Sequence, residues 1–155
     1  IGHEETFAAD VVDPDVLQRE LLRLSTRTGE RLRAAGIEAR TVSIKVRWSD
    51  FETVTRSRTL PEATDATQRI YRTAAQLLAD LGAAGRPVRL IGVRAEQLLE
   101  AGSEAAALWS DDDGWRAVDQ AVDEVRGRFG PAGVGPASLL EGRGEVVDPR
   151  SLEAP

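Results

Sequence analysis

The chain has 155 residues, 41% of them apolar and 30% charged, with a formal charge of −6, which is enough for one core or a small domain with an appendage. It has no cysteine, which excludes disulfides and cysteine-ligated metals, and its single histidine, His3, excludes histidine-rich metal sites and two-histidine chemistry. No apolar run approaches the roughly 18–20 residues of a membrane span, and no basic-then-apolar leader is visible, so the expected compartment is the cytoplasm, without membrane partners.

The chain opens without an initiator Met on the strand-like IGHEETF, which suggests a piece of something longer. Residues 5–11 are expected to form a strand. Residues 13–36 read as a helix, with Asp13 as N-cap, Pro14 in the first helical position and Gly36 as terminator. Leu17, Leu21, Leu24, Thr28 and Leu32 form its stripe. Residues 41–48 alternate strictly, with Val42, Ile44, Val46 and Trp48 on one side and Thr41, Ser43, Lys45 and Arg47 on the other, the signature of a half-buried strand. Residues 49–52 turn the chain, and 53–60 return as a hairpin partner.

PEATD (61–65) is expected to break that strand, with Thr64 or Asp65 capping a helix over 66–81 that ends at Gly82. Ile70, Ala74, Leu77, Leu78 and Leu81 are its stripe. Residues 87–95 form a fourth strand. The order is βαββαβ, so the expected class is α+β, a ferredoxin-like split βαβ fold. Two helices would cover one face of a four-stranded sheet and leave the other face wet. Residues 101–114 read as an acidic linker, and 115–155 as an amphipathic helix (Trp115, Val118, Val122, Val125, Phe129) followed by a Gly/Pro-rich tail.

Residues 1–100 carry 15 basic and 15 acidic side chains, the remainder 5 and 11, so the whole acidic balance lies in the last third. A local basic strip can therefore act alone, because charges beyond a Debye length of about 8 Å are largely screened. No Ser/His/Asp arrangement, cysteine nucleophile or Walker loop is present, and Asp111–Asp113 lack the spacing and glycine turn of a calcium cage. No catalytic or metal residue is assigned. Arg40, Lys45, Arg47, Arg56 and Arg58, interleaved with Thr and Ser, have the chemistry of a phosphate grip. Composition alone weighs that reading evenly against a merely solvated open face. With no aromatic at an outward sheet position, a backbone grip is favoured over base stacking.

The stretches IGHEETF, VSIKVRWSDFETVTRSRTL and RPVRLIGVRAEQL together resemble the little-finger domain of Y-family DNA polymerases of the DNA polymerase IV (DinB) type. The resemblance covers roughly residues 1–100, and the ending RFGPAGVGPASLL resembles the extension of actinobacterial members. It implies an open sheet lying along primer–template duplex DNA. The implied contacts are Gly2, His3 and Thr6 in the first strand, Thr55, Arg56, Ser57 and Arg58 in the hairpin, and Arg89, Gly92 and Arg94 in the last. Leu90 departs from members with a cation there.

The resemblance further implies error-prone, translesion nucleotidyl transfer with Mg²⁺ held by carboxylates upstream. This chain, which would need no cofactor itself, would be the DNA-gripping part, inert without the palm, fingers and thumb. A clamp-docking peptide corresponds in place to residues 105–109, with Leu108 and Trp109 as the apolar pair but without the leading Gln. The alternatives are a non-catalytic polymerase-like adaptor and a ferredoxin-like small-ligand regulatory domain.

Overall fold

In the computed structural model, residues 1–82, 85–103 and 112–130 are described. The first helix, α1 (Pro14–Ala35), forms where its caps dictate. The Asp13 carboxylate accepts the Asp15 amide at 2.9 Å, and Gly36 closes the helix in the left-handed conformation at φ 66°. Its predicted stripe, from Leu17 to Leu32, is buried throughout.

Four strands, β1 (Gly2–Val11), β2 (Ile37–Trp48), β3 (Thr53–Thr64) and β4 (Val88–Glu100), make one antiparallel sheet in the order β1-β4-β2-β3. With every neighbour antiparallel, β1 and β2 run parallel with β4 between them, and β3 and β4 run parallel with β2 between them. These are the two split βαβ units that the element order implies, and the α+β class stands. Val42, Ile44, Val46, Ile91 and Val93 meet Leu21, Leu24, Ile70 and Ala74 of α1 and the second helix, α2 (Thr67–Asp80), in a single core. No described helix is long and apolar enough to cross a membrane.

The structure departs from expectation at PEATD. Strand β3 continues through Pro61 to Thr64 instead of stopping. Proline is tolerated because β3 is an edge strand, where its missing N–H removes no ladder bond. A register shift between Ala39 and Thr41 absorbs the irregularity, and Arg40 reaches across to the carbonyls of Leu60 and Pro61 at 3.3 and 3.1 Å. The N-cap of α2 is Ala66, so neither Thr64 nor Asp65 caps it as expected. The Thr64 hydroxyl instead accepts the Ala66 amide at 3.1 Å. The Thr67 amide donates at 2.9 Å to the Asp119 carboxylate, which comes from the third helix, α3 (Asp113–Phe129).

That long-range cap shows how α3 sits. It turns its charged side to the domain. The Arg33 guanidinium, 9% exposed, reaches Asp123 at 2.6 Å and Asp119 at 3.3 Å. Arg116 pairs with Glu38 and Asp65, and Arg126 with Glu30. Of its apolar stripe, Val118 and Phe129 are left exposed, and Trp115, 41% exposed, lies at the edge of α2 near Arg72. Gly29 makes room for the joint, since a Cβ there would lie 2.7 Å from the Thr67 hydroxyl and 2.8 Å from Nη1 of Arg33. The region of Leu108 and Trp109, and the tail beyond 130, lie outside the described residues.

Candidate nucleic-acid interface

Residues paired directly across a sheet share a face, because side chains alternate with period two along each strand. The register therefore sorts the predicted site. Three rows cross the open face: Gly2–Arg94–Ser43–Ser57, Glu4–Gly92–Lys45–Thr55 and Thr6–Leu90–Arg47–Thr53. Leu90, 5% exposed, belongs to this side and not to the core cluster. Of the predicted contacts, Gly2, Thr6, Thr55, Ser57, Gly92 and Arg94 are brought together here, joined by Lys45 and Arg47.

Arg56, Arg58 and His3 fall elsewhere. Arg56 is opposite Ile44, Arg58 opposite Val42 and His3 opposite Val93, all core residues. Period two makes this unavoidable: if Thr55, Ser57 and Thr59 face out, the arginines between them face the helices. Arg58 accordingly donates to Asp80 of α2 at 3.2 Å. Arg89 stands at the far end of the sheet, its guanidinium 4.5 Å over the ring of Phe51. Phe51 itself is 64% exposed at the hairpin turn with φ 68°, a conformation rare for a bulky residue. Its exposure is not readable from sequence, because it depends on a turn geometry that Phe does not favour.

The open face carries a shallow groove of about 520 Å³ lined by Gly2, Glu4, Ser43, Lys45, Thr55 and Arg94. Its floor is low because two glycines leave it bare. A Cβ at Gly92 would meet the Glu4 Cβ at 3.0 Å, and one at Gly2 would meet the Val93 carbonyl oxygen at 3.0 Å. Hydroxyls brace the strands: the Thr41 and Thr59 hydroxyls are 3.1 Å apart, and the Arg47 guanidinium donates to Thr53 at 3.0 Å. The cations are only lightly committed. Lys45 pairs with Glu4 at 3.2 Å and Arg94 with Glu96 at 3.8 Å, all four side chains well exposed, and exposed pairs of this kind contribute about 0–1 kcal/mol. Both cations can therefore exchange a carboxylate for a phosphate at little cost. Among the described residues no group of three or more Asp, Glu or His side chains could hold a metal ion.

At the hairpin end Arg86 lies 4.3 Å over the Trp48 ring and donates to Asp50 and Glu52 at 3.2 and 2.8 Å. The Glu52 backbone amide, ahead of Arg86, holds the Asp50 carboxyl below its ordinary range. The Arg86 guanidinium is thus shared between two carboxylates and the Trp48 ring.

The His3 ring is held below its ordinary pKa of 6.5, first by burial and then by Arg31 and Arg27 of α1. Its Nε2 is buried without a hydrogen-bond partner. The folded chain thus favours the neutral ring. Its contribution to stability is full above pH 6.5 and is lost as the pH falls from there through the lowered folded value. As the only histidine, His3 should give a single NMR titration with a midpoint below 6.5. His3→Gln should flatten the loss of urea resistance over the same window. A midpoint at or above 6.5 would contradict the placement.

Comparison with known proteins gives a consistent result. The profile of the impB/mucB/samB family C-terminal domain matches residues 1–108. The DNA polymerase IV of Methanoculleus marisnigri is 48% identical over 98 residues, covering 63% of this chain and 27% of that protein. The DNA polymerase IV of Desulfatibacillum aliphaticivorans is 38% identical over 144 residues, covering 90% of this chain and 36% of that protein. Among solved structures, the little-finger domain of PolIV in complex with a β-clamp processivity factor aligns with a TM-score of 0.50 at 20% identity, over 71% of this chain and 95% of that one. That likeness shows the fold. The chain spans about a third or less of the two polymerases it resembles.

Proposed function

This chain belongs to the impB/mucB/samB family, whose C-terminal domain it carries, and from that premise we propose that it is the DNA-gripping C-terminal part of an error-prone DNA polymerase IV. The observation that carries the reading is the open face. Lys45, Arg47 and Arg94 stand among hydroxyls over a glycine-floored groove, where a duplex backbone can approach the sheet closely. Guanidinium, ammonium and hydroxyl groups bind phosphate oxygens and fix a protein on the duplex without reading its bases, which suits a polymerase that must work on any sequence. Gly2, Thr6, Thr55, Ser57, Gly92 and Arg94 are the proposed contacts, with Lys45 and Arg47 added. Arg89 would meet the duplex at the hairpin end.

Nucleotidyl transfer across damaged templates belongs, in this proposal, to the whole protein acting in the cytoplasm. The described residues do not fit the Mg²⁺ of that reaction, and no step is assigned to them. The palm, fingers and thumb are the proposed neighbours in the same protein. A sliding clamp is proposed as a further partner through Leu108 and Trp109, supported by the clamp complex of the little-finger relative.

The test is fluorescence anisotropy of the 155-residue chain with labelled blunt duplexes of unrelated sequence, over a salt series. Affinity should fall with a log–log slope of about −0.9 for each phosphate neutralised, and similarly for every sequence. A slope near zero, or strong preference for one sequence, would refute the backbone grip.

A further inference from the structure

The edge strand β3 has two usable sides. Thr55 and Ser57 face the groove, while Arg56 and Arg58 point to the helix side, where β3, α2 and α3 enclose a second cleft of about 410 Å³. Arg58, Arg69, Arg72, Gln68 and Trp115 line it. Two acids partly answer these cations. Arg58 donates to Asp80 at 3.2 Å, and Arg69 lies 3.9 Å from Asp112, whose carboxylate also accepts the Thr64 hydroxyl at 2.7 Å. Among the described residues three guanidiniums thus face two carboxylates, with Arg56 beside them on the same side of the strand. The Trp115 indole is 41% exposed, and the Arg72 guanidinium sits 5.7 Å from its ring centroid.

We propose that this cleft between β3, α2 and α3 is a second nucleic-acid site that takes single-stranded DNA, a base stacking on Trp115 and phosphates on Arg58 and Arg72. An exposed indole flanked by guanidiniums is the chemistry that holds single strands without reading them. Duplex DNA keeps its base faces stacked on each other, so only an unpaired base can lie on the indole at this cleft. Among the described residues the rows of the open face carry no aromatic ring. Because β3 forms one wall of both surfaces, a strand leaving a duplex on the open face meets Arg56 and Arg58 as it passes the sheet edge. The inference rests on the proposed duplex grip for the source of the strand, but the chemistry of the cleft stands independently.

The test compares three labelled probes on the 155-residue chain: a blunt duplex, the same duplex with an unpaired thymidine tail, and a free thymidine oligomer. The tail should tighten binding about ten-fold. Trp115→Ala with Arg72→Gln should erase that advantage and the free-oligomer binding while leaving blunt-duplex affinity unchanged. Trp115→Phe should keep most of the advantage. Hydrogen exchange of the α3 amides confirms that the variants stay docked, and Arg72→Gln alone, a change at an exposed residue of α2, repeats the test without touching α3. A tail that adds nothing, or a double variant that keeps its advantage, overturns the proposal. If Lys45→Gln with Arg94→Gln leaves blunt-duplex binding intact, the open-face grip fails instead. The free oligomer then decides the cleft: binding that needs Trp115 supports it, and binding that is absent or indifferent to Trp115 overturns it.

Discussion

Arg33→Ala should detach α3 while the sheet and its two covering helices remain folded. In the intact chain every nitrogen of that guanidinium donates. Nε donates to Asp123 at 2.6 Å and Nη2 to the same carboxylate at 3.1 Å, while Nη1 serves the Asp65 carbonyl at 2.7 Å, the Thr67 hydroxyl at 3.2 Å and Asp119 at 3.3 Å. Removal leaves Asp119 and Asp123, one helical turn apart, repelling each other against a low-dielectric surface. Breaking a buried ion pair in this way costs about 3–5 kcal/mol when the fold must retain the orphaned charge. Here it need not. The orphaned acids are on α3, which can swing into water, so the penalty is capped at the docking free energy of that helix.

Hydrogen exchange reads the outcome directly. Amides of α3 should lose protection, the Thr67 amide should lose its acceptor, and β2 and β4 should keep theirs. Unchanged protection in α3 would sink the idea, as would collapse of the whole domain. At Asp119, acid does not mimic the mutation. Burial, outweighing the Thr67 amide and Arg33, raises the Asp119 carboxyl above its ordinary 3.8. Its docked form therefore takes up a proton more readily than its free form. Through Asp119, docking slackens as the pH rises through the raised value and is not lost as the pH falls.

This joint also marks where the sequence stops being legible. The ends of α1 could be read because a cap is local: Asp13 serves Asp15, and Gly36 needs no partner beyond its own last turn. The alternation of β2 could be read because a half-buried strand repeats every two residues. The start of α2 could not, because Ala66 offers no side-chain cap and the acceptor for Thr67 comes from Asp119, far along the chain. The docking side of α3 could not be read for the same reason. An apolar stripe argues for burial, yet three arginines on two helices find acids at long sequence separation and turn the stripe outward. Pro61 suggested a break because the edge position of β3 appears only once the sheet is assembled. The placement of Arg56 and Arg58 on the helix side of β3 is of another kind. The parity that separates them from Thr55 and Ser57 was already in the sequence, and treating the strand as one cationic surface concealed it.

That parity gives the second large effect. Lys45→Gln with Arg94→Gln should weaken blunt-duplex binding about sixty-fold at ~0.1 M salt and hardly at all near ~1 M. Each lost phosphate contact removes about 0.9 from the slope of log affinity on log salt, and two contacts account for that factor over one decade of salt. Arg56→Ala with Arg58→Ala removes the same formal charge but from the other side of β3, where Arg58 is already answered by Asp80. Its blunt-duplex slope should change by less than about one contact. Folding should be unaffected in both pairs, because all four side chains are at the surface and surface changes of this kind stay within about 0.5 kcal/mol. Glu4→Gln should move affinity the opposite way, since it takes a carboxylate out of the groove and frees Lys45 from its 3.2 Å pair. Equal losses in the two arginine- and lysine-depleted variants would mean that total charge governs binding. A loss confined to Lys45 and Arg94, with a gain at Glu4, would locate the grip on one face of the sheet.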